Sequence, residues 1–393
     1  MEDLNMKRVL SILTLCFFIF SLTPVSGFAE EKKSELAEVA KSAVLIERDT
    51  GSVLYDKNSH ERLAPASMTK IMTMILIMEA IENGQIDWKD KIRTSEHAAS
   101  MGGSQIFLEP GETMSVEEML KGIAIGSAND ASVAMAEHLA GSEKGFVEKM
   151  NAKVKELGLK DTQFKNPTGL PSKGHYSSAH DMAMMAKELL KYEGITKFTG
   201  SYESYLRENT DKKFWLVNTN KLVRFYDGVD GLKTGFTNEA KYCLTATAKK
   251  GNMRVIAVVF GAPSPKDRNN EVSTMLDYAF NQYQTKPLYK KGDDIGEAKV
   301  SKGKDRKLQA VTQEPVSILT QKGEKLDKVE QKVSIADEVK APVKKGDEIG
   351  KLVIMNKGKK VLETPLVAKS DVKKASWWDF YKRSMSMFTK TDQ

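Results

Sequence analysis

The sequence is poor in cysteine, with only Cys16 and Cys243 among its 393 residues. Cys16 lies in an apolar N-terminal run, so the rest of the chain holds a single thiol and a disulfide framework is excluded. Histidine is also scarce, and none of the five shows a spacing typical of a metal site: His60, His97, His138, His175 and His180. We therefore predict a protein that needs no metal and no other cofactor.

An arginine-rich face and nucleic-acid-binding motifs are also missing. The chain has 60 Lys and Arg residues against 53 Asp and Glu residues, and its formal net charge is +7. The two signs are interspersed along the chain rather than collected in one block. This mild excess of positive charge suits an anionic wall or membrane surface, and we predict no nucleic-acid partner.

One long apolar run lies at the N-terminus. Lys7 and Arg8 precede an apolar run over residues 9–22, and the small residues Gly27 and Ala29 follow it. This pattern predicts a secretory signal peptide over residues 1–29, and therefore an exported protein. Whether synthesis starts at Met1 or at the second methionine, Met6, stays open.

Ser67 and Lys70 open a strongly apolar segment. Residues 71–80 contain no Gly or Pro, and the segment ends near Asn83-Gly84, a helix stop signal. The pattern predicts a helix buried on every side, with Lys70 one turn after Ser67 on the same face. Burial favours the neutral amine of a lysine, which can take the proton of a nearby hydroxyl. We interpret the pair as nucleophile and base. The alternative is that the serine only caps the helix and the lysine is a solvated side chain, as in many helices that contain Ser-x-x-Lys.

Strand patterns occur at both ends of the first 285 residues, and helical patterns fill the middle. Hairpins are predicted over residues 42–55 and 242–260, with a further short strand over 229–235. A capping box at Ser115 begins one helix. Other predicted helices cover residues 131–139, 145–157, 179–192 and 271–283, whereas residues 94–114 and 166–171 are read as irregular. This order predicts an α+β domain in which one antiparallel sheet lies beside a cluster of helices.

The last hundred residues change in character. From Pro287 onward, short alternating segments such as residues 316–319 and 351–354 lie between Lys-Gly turns, which predicts a small all-β sandwich. We expect it to act as a spacer or docking platform.

The C-terminus has an amphipathic pattern. On a helical wheel the residues of one face are Trp377, Trp378, Tyr381, Met385 and Phe388. The stretch is shorter than the roughly 20 apolar residues of a membrane span, so we predict a helix that lies on the membrane surface. The alternative is a tail that packs on its own domain.

Three short motifs stand in order along the chain: Ser67-x-x-Lys70, Ser127-x-Asn129 and Lys233-Thr234-Gly235. Each is weak alone, but their order and setting match the penicillin-recognising serine acyltransferases. Residues 35–283 resemble the low-molecular-mass penicillin-binding proteins, which are D-alanyl-D-alanine carboxypeptidases, and residues 63–70 and 129–134 extend the likeness beyond the motifs. The resemblance is close to the sporulation-associated type, whose layout includes the β domain and the amphipathic tail.

The resemblance implies a β-lactamase/transpeptidase-like fold and four segments. These are the signal peptide 1–29, the catalytic domain 30–285, the β-sandwich domain 286–370 and the amphipathic membrane-associating helix 371–393. It also implies an enzyme on the outer face of the cytoplasmic membrane that removes the terminal D-alanine from peptidoglycan stem peptides.

The resemblance also assigns roles to residues. Ser67 attacks the carbonyl between the two D-alanines, Lys70 takes its proton, and Ser127 relays a proton to the leaving D-alanine. The substrate-binding residues are Asn129, Lys233, Thr234 and Gly235. The backbone N–H groups of Ser67 and Phe236 form the oxyanion hole, and β-lactams acylate Ser67. Ala128 stands where many relatives have glycine.

Other activities share these motifs. A class A β-lactamase needs a glutamate before the third motif, but residues 166–174 contain no Glu or Asp, so efficient lactam hydrolysis is disfavoured. A penicillin-binding sensor would need acylation without turnover, and it usually carries a spanning helix and a cytoplasmic domain. An esterase or transpeptidase is the remaining alternative.

Overall fold

The computed structural model describes residues 36–192, 194–324, 329–356 and 358–382. The predicted signal peptide lies outside the described residues, as do Met385 and Phe388 of the predicted tail.

An antiparallel sheet forms the centre of the first domain. The strands of this domain are β1 (Ser42–Glu47), β2 (Val53–Lys57), β3 (Lys91–Arg93), β4 (Thr113–Ser115), β5 (Glu203–Leu206), β6 (Phe214–Val217), β7 (Val229–Thr237), β8 (Lys241–Lys250) and β9 (Met253–Ala262). The five-stranded sheet has the order β2-β1-β9-β8-β7, and β3 pairs with β4 and β5 with β6. Both predicted hairpins are confirmed. Because β7 is an edge strand, one side of it is available for pairing with another extended chain.

Helices occupy the middle of this domain. They are α1 (Lys70–Glu82), α2 (Glu96–Ala99), α3 (Val116–Ala124), α4 (Asn129–Ala140), α5 (Glu143–Glu156), α6 (Ala179–Leu189), α7 (Ile195–Thr199), α8 (Leu222–Phe225) and α9 (Pro265–Gln282). The predicted capping box is present, because Glu118 N–H donates to Ser115 Oγ and Ser115 N–H donates to the Glu118 carboxylate. The predicted α+β arrangement of one sheet with a helical cluster is confirmed.

Helix α1 is the buried centre of the helical cluster, as its apolar pattern predicted. Met72, Met74 and Ile75 are fully buried in a core shared with α3, α4, α5 and α6. Burying each side chain of this size contributes about 1.5–3 kcal/mol. A second core lies between the sheet and α9.

Helix α9 begins earlier than the predicted start at residue 271. Ser264 caps it by accepting a hydrogen bond from Asp267 N–H, and Pro265 occupies its first turn. The prediction followed only the apolar periodicity and missed this start signal. The extra turns carry Arg268, which lies near the functional site.

The second domain consists of strands: β10 (Tyr283–Tyr289), β11 (Asp294–Ser301), β12 (Lys307–Thr312), β13 (Val316–Gln321), β14 (Val329–Ile335), β15 (Glu338–Lys340), β16 (Glu348–Asn356) and β17 (Lys359–Ala368). A six-stranded sheet has the order β14-β16-β17-β12-β11-β15, and β10 pairs with β13. The predicted strand segments 316–319 and 351–354 lie within β13 and β16. The first strand follows α9 directly, before the predicted boundary at residue 286.

The two domains contact each other at the turn between β1 and β2. Ser317 Oγ donates to Asp49 Oδ2 over 2.8 Å. Glu314 accepts from Lys191 at 2.9 Å and lies 3.9 Å from Arg48. These contacts tie the β domain to the first domain.

The end of the described chain has two parts. Val372 is buried and exchanges backbone hydrogen bonds with Val343, so it still belongs to the β domain. A short helix follows over residues 377–382, with the exposed rings of Trp377, Trp378 and Tyr381 stacked on one another. Within the described residues, no helix has the length and apolar character that a membrane crossing requires.

Candidate active site

The candidate nucleophile lies on a tight turn immediately before α1. A 3₁₀ turn covers Ala66–Thr69, and Ala66 adopts a left-handed conformation with φ 46°, which is unusual for a residue other than glycine. The turn brings Ser67 Oγ to 3.0 Å from Lys70 Nζ, the first residue of α1. The predicted pair is therefore in direct contact.

Three groups surround the Lys70 amine. Besides Ser67, it contacts Asn129 Oδ1 at 2.6 Å and the backbone oxygen of Thr168 at 2.7 Å. Asn129 Nδ2 donates to Gly102 O, which fixes the amide with its oxygen toward Lys70. A neutral amine has two N–H donors and one lone pair. Because Asn129 Oδ1 and Thr168 O can only accept, they take both donors, and the lone pair faces Ser67 Oγ.

The electrostatic setting favours this neutral form. Burial is complete and lowers the pKa of Lys70 well below its usual range, and the charge of Lys233 acts in the same direction. Asp130 opposes the shift. Its carboxylate accepts the backbone N–H groups of Ile106 and Leu108, which fixes the loop whose Gly102 O binds the Asn129 amide.

Strand β7 passes beside the nucleophile turn. A Cβ atom on Gly235 would lie 2.8 Å from Pro65 O and 3.3 Å from Met68 N, so glycine is required for this close approach. Thr234 Oγ1 donates to Thr219 Oγ1 over 2.7 Å, and Lys233 Nζ donates to Thr234 O over 3.0 Å. The third motif therefore lies next to the first.

A second buried cation lies close to Lys233. Both Lys233 and Arg268 are almost completely buried. Burial, followed by the charge of Arg268, lowers the pKa of Lys233 to about 7. Two neighbouring cations out of contact with water form a setting suited to an anionic group. Arg268 was not predicted, because its helix was assigned a later start.

The contacts of Ser127 and Phe236 say less about their predicted roles than those of the other site residues do. Ser127 is buried in a left-handed conformation with φ 63°, between Gly126 and Ala128. Within the described residues its hydroxyl makes no hydrogen bond to Ser67 or Lys70. Phe236 is half exposed, and its ring stacks on Tyr242 at 4.4 Å. The relay by Ser127 and the oxyanion hole at Ser67 and Phe236 stay predictions.

The loop over residues 166–174 contributes more than was predicted. It supplies Thr168 O to Lys70, and Asn166 Oδ1 accepts the N–H groups of Thr168 and Gly169 at 3.1 and 2.7 Å. His175 follows the loop and anchors it to the nucleophile turn. Lys165 N–H donates to His175 Nδ1, so Nε2 carries the ring proton and donates to Thr69 Oγ1 over 2.8 Å.

The described residues contain no group of three or more His, Cys, Asp or Glu side chains that could hold a metal ion. The groups that come together at the site are the Ser67 hydroxyl, the Lys70 amine and the Asn129 amide. A buried neutral amine with its lone pair directed at a serine is the arrangement of a serine acyl-transfer site, and the nearby Lys233 and Arg268 suit an anionic group.

Comparisons with known proteins specify this class further. The family described as D-alanyl-D-alanine carboxypeptidase matches residues 29–264, and the C-terminal domain of penicillin-binding protein 5 matches residues 283–374. The chain therefore belongs to the D-alanyl-D-alanine carboxypeptidase family.

Individual relatives agree with this. The chain is 64% identical over 388 residues to D-alanyl-D-alanine carboxypeptidase DacF of Bacillus subtilis, covering 98% of this chain and 100% of that protein. It is 33% identical to DacA of Haemophilus influenzae, covering 95% and 97% of the two chains. The crystal structure of penicillin binding protein 5 from H. influenzae superposes with a TM-score of 0.67 at 32% identity, covering 86% of this chain and 98% of that one. This likeness confirms the predicted fold.

Proposed function

We propose that this chain is a serine D-alanyl-D-alanine carboxypeptidase that removes the terminal D-alanine from peptidoglycan stem pentapeptides through an acyl-enzyme on Ser67. The observation that carries the proposal is the Lys70 amine, which is buried, lies 3.0 Å from Ser67 Oγ and gives both donors of its neutral form to fixed acceptors.

Acylation starts at this pair. Lys70 takes the proton of Ser67 as Oγ attacks the carbonyl between the two D-alanines. The backbone N–H groups of Ser67 and Phe236 stabilise the oxyanion, and one such donor typically contributes about 3–4 kcal/mol to the transition state. Ser127 relays a proton to the nitrogen of the departing D-alanine. Water then hydrolyses the ester and regenerates the Ser67 hydroxyl.

Binding uses the free edge of β7. The substrate backbone lies along this strand as an added strand, close to Gly235. Its terminal carboxylate binds at Lys233 and Thr234, where Arg268 adds positive charge, and Asn129 holds a substrate amide. β-Lactams occupy the same cleft and acylate Ser67. A related structure, penicillin-binding protein D2 from Listeria monocytogenes in its ampicillin-bound form, covers 62% of this chain at 29% identity and a TM-score of 0.55.

The location follows from the two ends of the chain. Residues 1–29 direct export, the catalytic domain acts on the cell wall, and the aromatic tail binds the outer face of the cytoplasmic membrane. The exposed Trp377, Trp378 and Tyr381 support this reading over a tail packed on its own domain. The resemblance to the sporulation-associated type supports a role in the spore cortex. Because Val372 is held in the β domain, we propose that the tail starts near Ser376 rather than at residue 371.

The decisive experiment measures free D-alanine released from a stem pentapeptide. The wild-type protein should release D-alanine without a cross-linked product, and Ser67→Ala should abolish both release and penicillin labelling while it leaves the melting temperature unchanged. Labelling without release would favour a sensor, a cross-linked product a transpeptidase, and rapid penicillin turnover a β-lactamase.

A further inference from the structure

The hairpin of β5 and β6 carries two exposed aromatic side chains on its outer side. Tyr205 and Trp215 stand directly opposite each other in the strand pairing, and both rings are exposed. Their chain neighbours Leu206 and Leu216 are buried, because successive side chains of a strand point to opposite sides. Adjacent exposed rings, unlike single ones, usually mark an interaction surface. We call Tyr205, Trp215 and the flanking Glu203 and Lys213 the aromatic hairpin face.

The hairpin is attached firmly beside the second motif. Leu216 packs on Gly126, since a Cβ atom added to Gly126 would lie 2.9 Å from Leu216 Cδ2. At one end of the hairpin Arg207 donates to Ile106 O over 3.1 Å, and at the other end the Asn218 amide donates to two backbone carbonyls. The two rings are therefore held on a rigid support next to the cleft, so that a partner can bind them at little cost in conformational entropy.

The other exposed aromatic rings of the first domain also lie around the cleft. Within the described residues, each of them is on β7 or on a segment that packs against β7 or against the second motif. They are Phe107, Phe225 and Phe236. The partner of this surface therefore meets the protein where the substrate does.

Polar groups of both signs border the two rings of the aromatic hairpin face. Trp215 Nε1 donates to Glu203 Oε2 over 3.3 Å, and Lys213 Nζ lies 4.1 Å from the centre of the Tyr205 ring. Hydroxyl groups both donate and accept, so a sugar can bond to a carboxylate and to an ammonium group. The C–H bonds on one face of a hexose carry partial positive charge, which is attracted to the negative face of an aromatic ring. A polymer of N-acetylated hexoses matches this combination.

A lipid surface matches it less well. Trp, Tyr and Lys also occur at membrane interfaces, but insertion there would remove water from the Glu203 carboxylate and bring it toward anionic head groups. The cell wall instead presents hydrated sugars. The carboxylates of its stem peptides complement the Lys213 ammonium.

We propose that the aromatic hairpin face binds the glycan strands of peptidoglycan and holds the wall beside the cleft. The sugars stack on Tyr205 and Trp215, and Glu203 and Lys213 orient them. Because a glycan strand carries many stem peptides, one contact at the hairpin raises the effective concentration of peptide at Ser67. The identity of the polymer rests on the proposed function.

The binding test uses soluble glycan strands from which an amidase has removed the stem peptides, so that the cleft has no ligand. Isothermal titration measures their affinity for the full chain. Trp215→Ala should weaken binding roughly fivefold or more, the usual effect of truncating an aromatic anchor. The matched control is Trp378→Ala, which removes a tryptophan of the same 56% exposure from the C-terminal helix and should bind like the wild type.

D-alanine release tests the consequence for turnover. With glycan-linked pentapeptides, the KM of Trp215→Ala should rise roughly fivefold, in step with the lost affinity. With a free pentapeptide, its kcat/KM should equal that of the wild type. An equal loss on both substrates would mean that the substitution disturbs the second motif, and it would overturn the proposal.

Three further outcomes would overturn the proposal alone: no binding of glycan by the wild type, full binding by Trp215→Ala, or a loss of vesicle sedimentation in Trp215→Ala while glycan binding persists. The last result would assign the face to the membrane. Failure of the wild type to release D-alanine from the free pentapeptide would overturn the proposed function instead, and the titration with peptide-free glycan would still decide whether the hairpin binds sugar.

Discussion

The backbone of Gly169 lies against that of Ala66. A Cβ atom on Gly169 would lie 1.8 Å from Ala66 O, and Gly169 has φ +86°. The loop over residues 166–174 and the nucleophile turn therefore pack as one unit. This contact is what allows Thr168 O, one residue earlier, to reach the Lys70 amine.

Replacing Gly169 should disturb the catalytic amine without touching it. In Gly169→Ala the new methyl group must displace Ala66, Thr168 or both, and a displacement near 1 Å costs roughly 10²-fold in rate. The free energy of unfolding should fall by about 1–3 kcal/mol. Stopped-flow acylation by penicillin and urea unfolding measure the two effects.

Gly158→Ala is the matched control. Gly158 has φ +66° but no heavy atom within 4 Å of an added Cβ. This variant should lose about 1–2 kcal/mol of stability through its left-handed backbone and keep its acylation rate. If both variants acylate at the wild-type rate, packing of the loop does not position Lys70.

A permanently charged replacement for Lys70 should slow catalysis strongly. The guanidinium of Lys70→Arg keeps its proton at every accessible pH and cannot accept one from Ser67. We expect acylation to slow by roughly 10²- to 10⁴-fold, the usual contribution of a general base. Lys153→Arg, another mostly buried lysine, which pairs with Glu79 and Glu156, should acylate normally. Fast acylation by Lys70→Arg would show that a group other than Lys70 accepts the Ser67 proton.

The kcat/KM for D-alanine release should first rise and then fall as pH increases. The proposed base is neutral Lys70, so kcat/KM should rise as pH increases through its lowered pKa. The carboxylate site needs charged Lys233, whose pKa is about 7, so binding weakens as pH rises above that value. The kcat/KM for D-alanine release should therefore pass through a maximum.

Two measurements test whether Lys233 causes the alkaline limb of this pH–rate profile. Lys233→Arg stays charged, so its alkaline limb should move to higher pH. A bound carboxylate favours charged Lys233, so the alkaline limb of kcat should lie above that of kcat/KM. An alkaline limb unchanged by Lys233→Arg would mean that another group titrates there.

Removing the aromatic tail should release the protein from membranes. The truncation belongs after Ala375, because Ala375 N–H bonds to Lys302 O and Val372 is part of the β domain. The shortened protein should stay in solution with vesicles that contain anionic lipid, whereas the longer protein sediments with them. Its D-alanine release should be unchanged. Sedimentation of the shortened form would place the membrane contact elsewhere.

The sequence predicts the parts of this protein that depend on short-range patterns. The apolar run after Lys70 specifies a buried helix, and Gly51 and Gly251 mark the turns of the two hairpins. Ser67, Lys70, Asn129 and Lys233 are recognisable because their side chains are specific to this chemistry and their motifs occur in order. The resemblance supplied their roles.

Other contributors could not be predicted in this way. Thr168 acts through a backbone carbonyl, which every residue has, so no pattern distinguishes it. The requirement for Gly169 arises from a contact with Ala66 across the fold. Arg268 could have been found, because Ser264-Pro265 is a helix start signal, but nothing local shows that its charge reaches Lys233.

Two site residues without glycine's freedom, Ala66 and Ser127, hold left-handed backbones, with φ 46° and 63°. Such a conformation costs about 1–2 kcal/mol relative to the right-handed one. A laboratory selection for heat tolerance alone would therefore tend to enrich glycine at both positions. Selected variants with glycine at position 127 would lack the hydroxyl proposed to relay the proton. They would therefore be more heat-stable but less active enzymes.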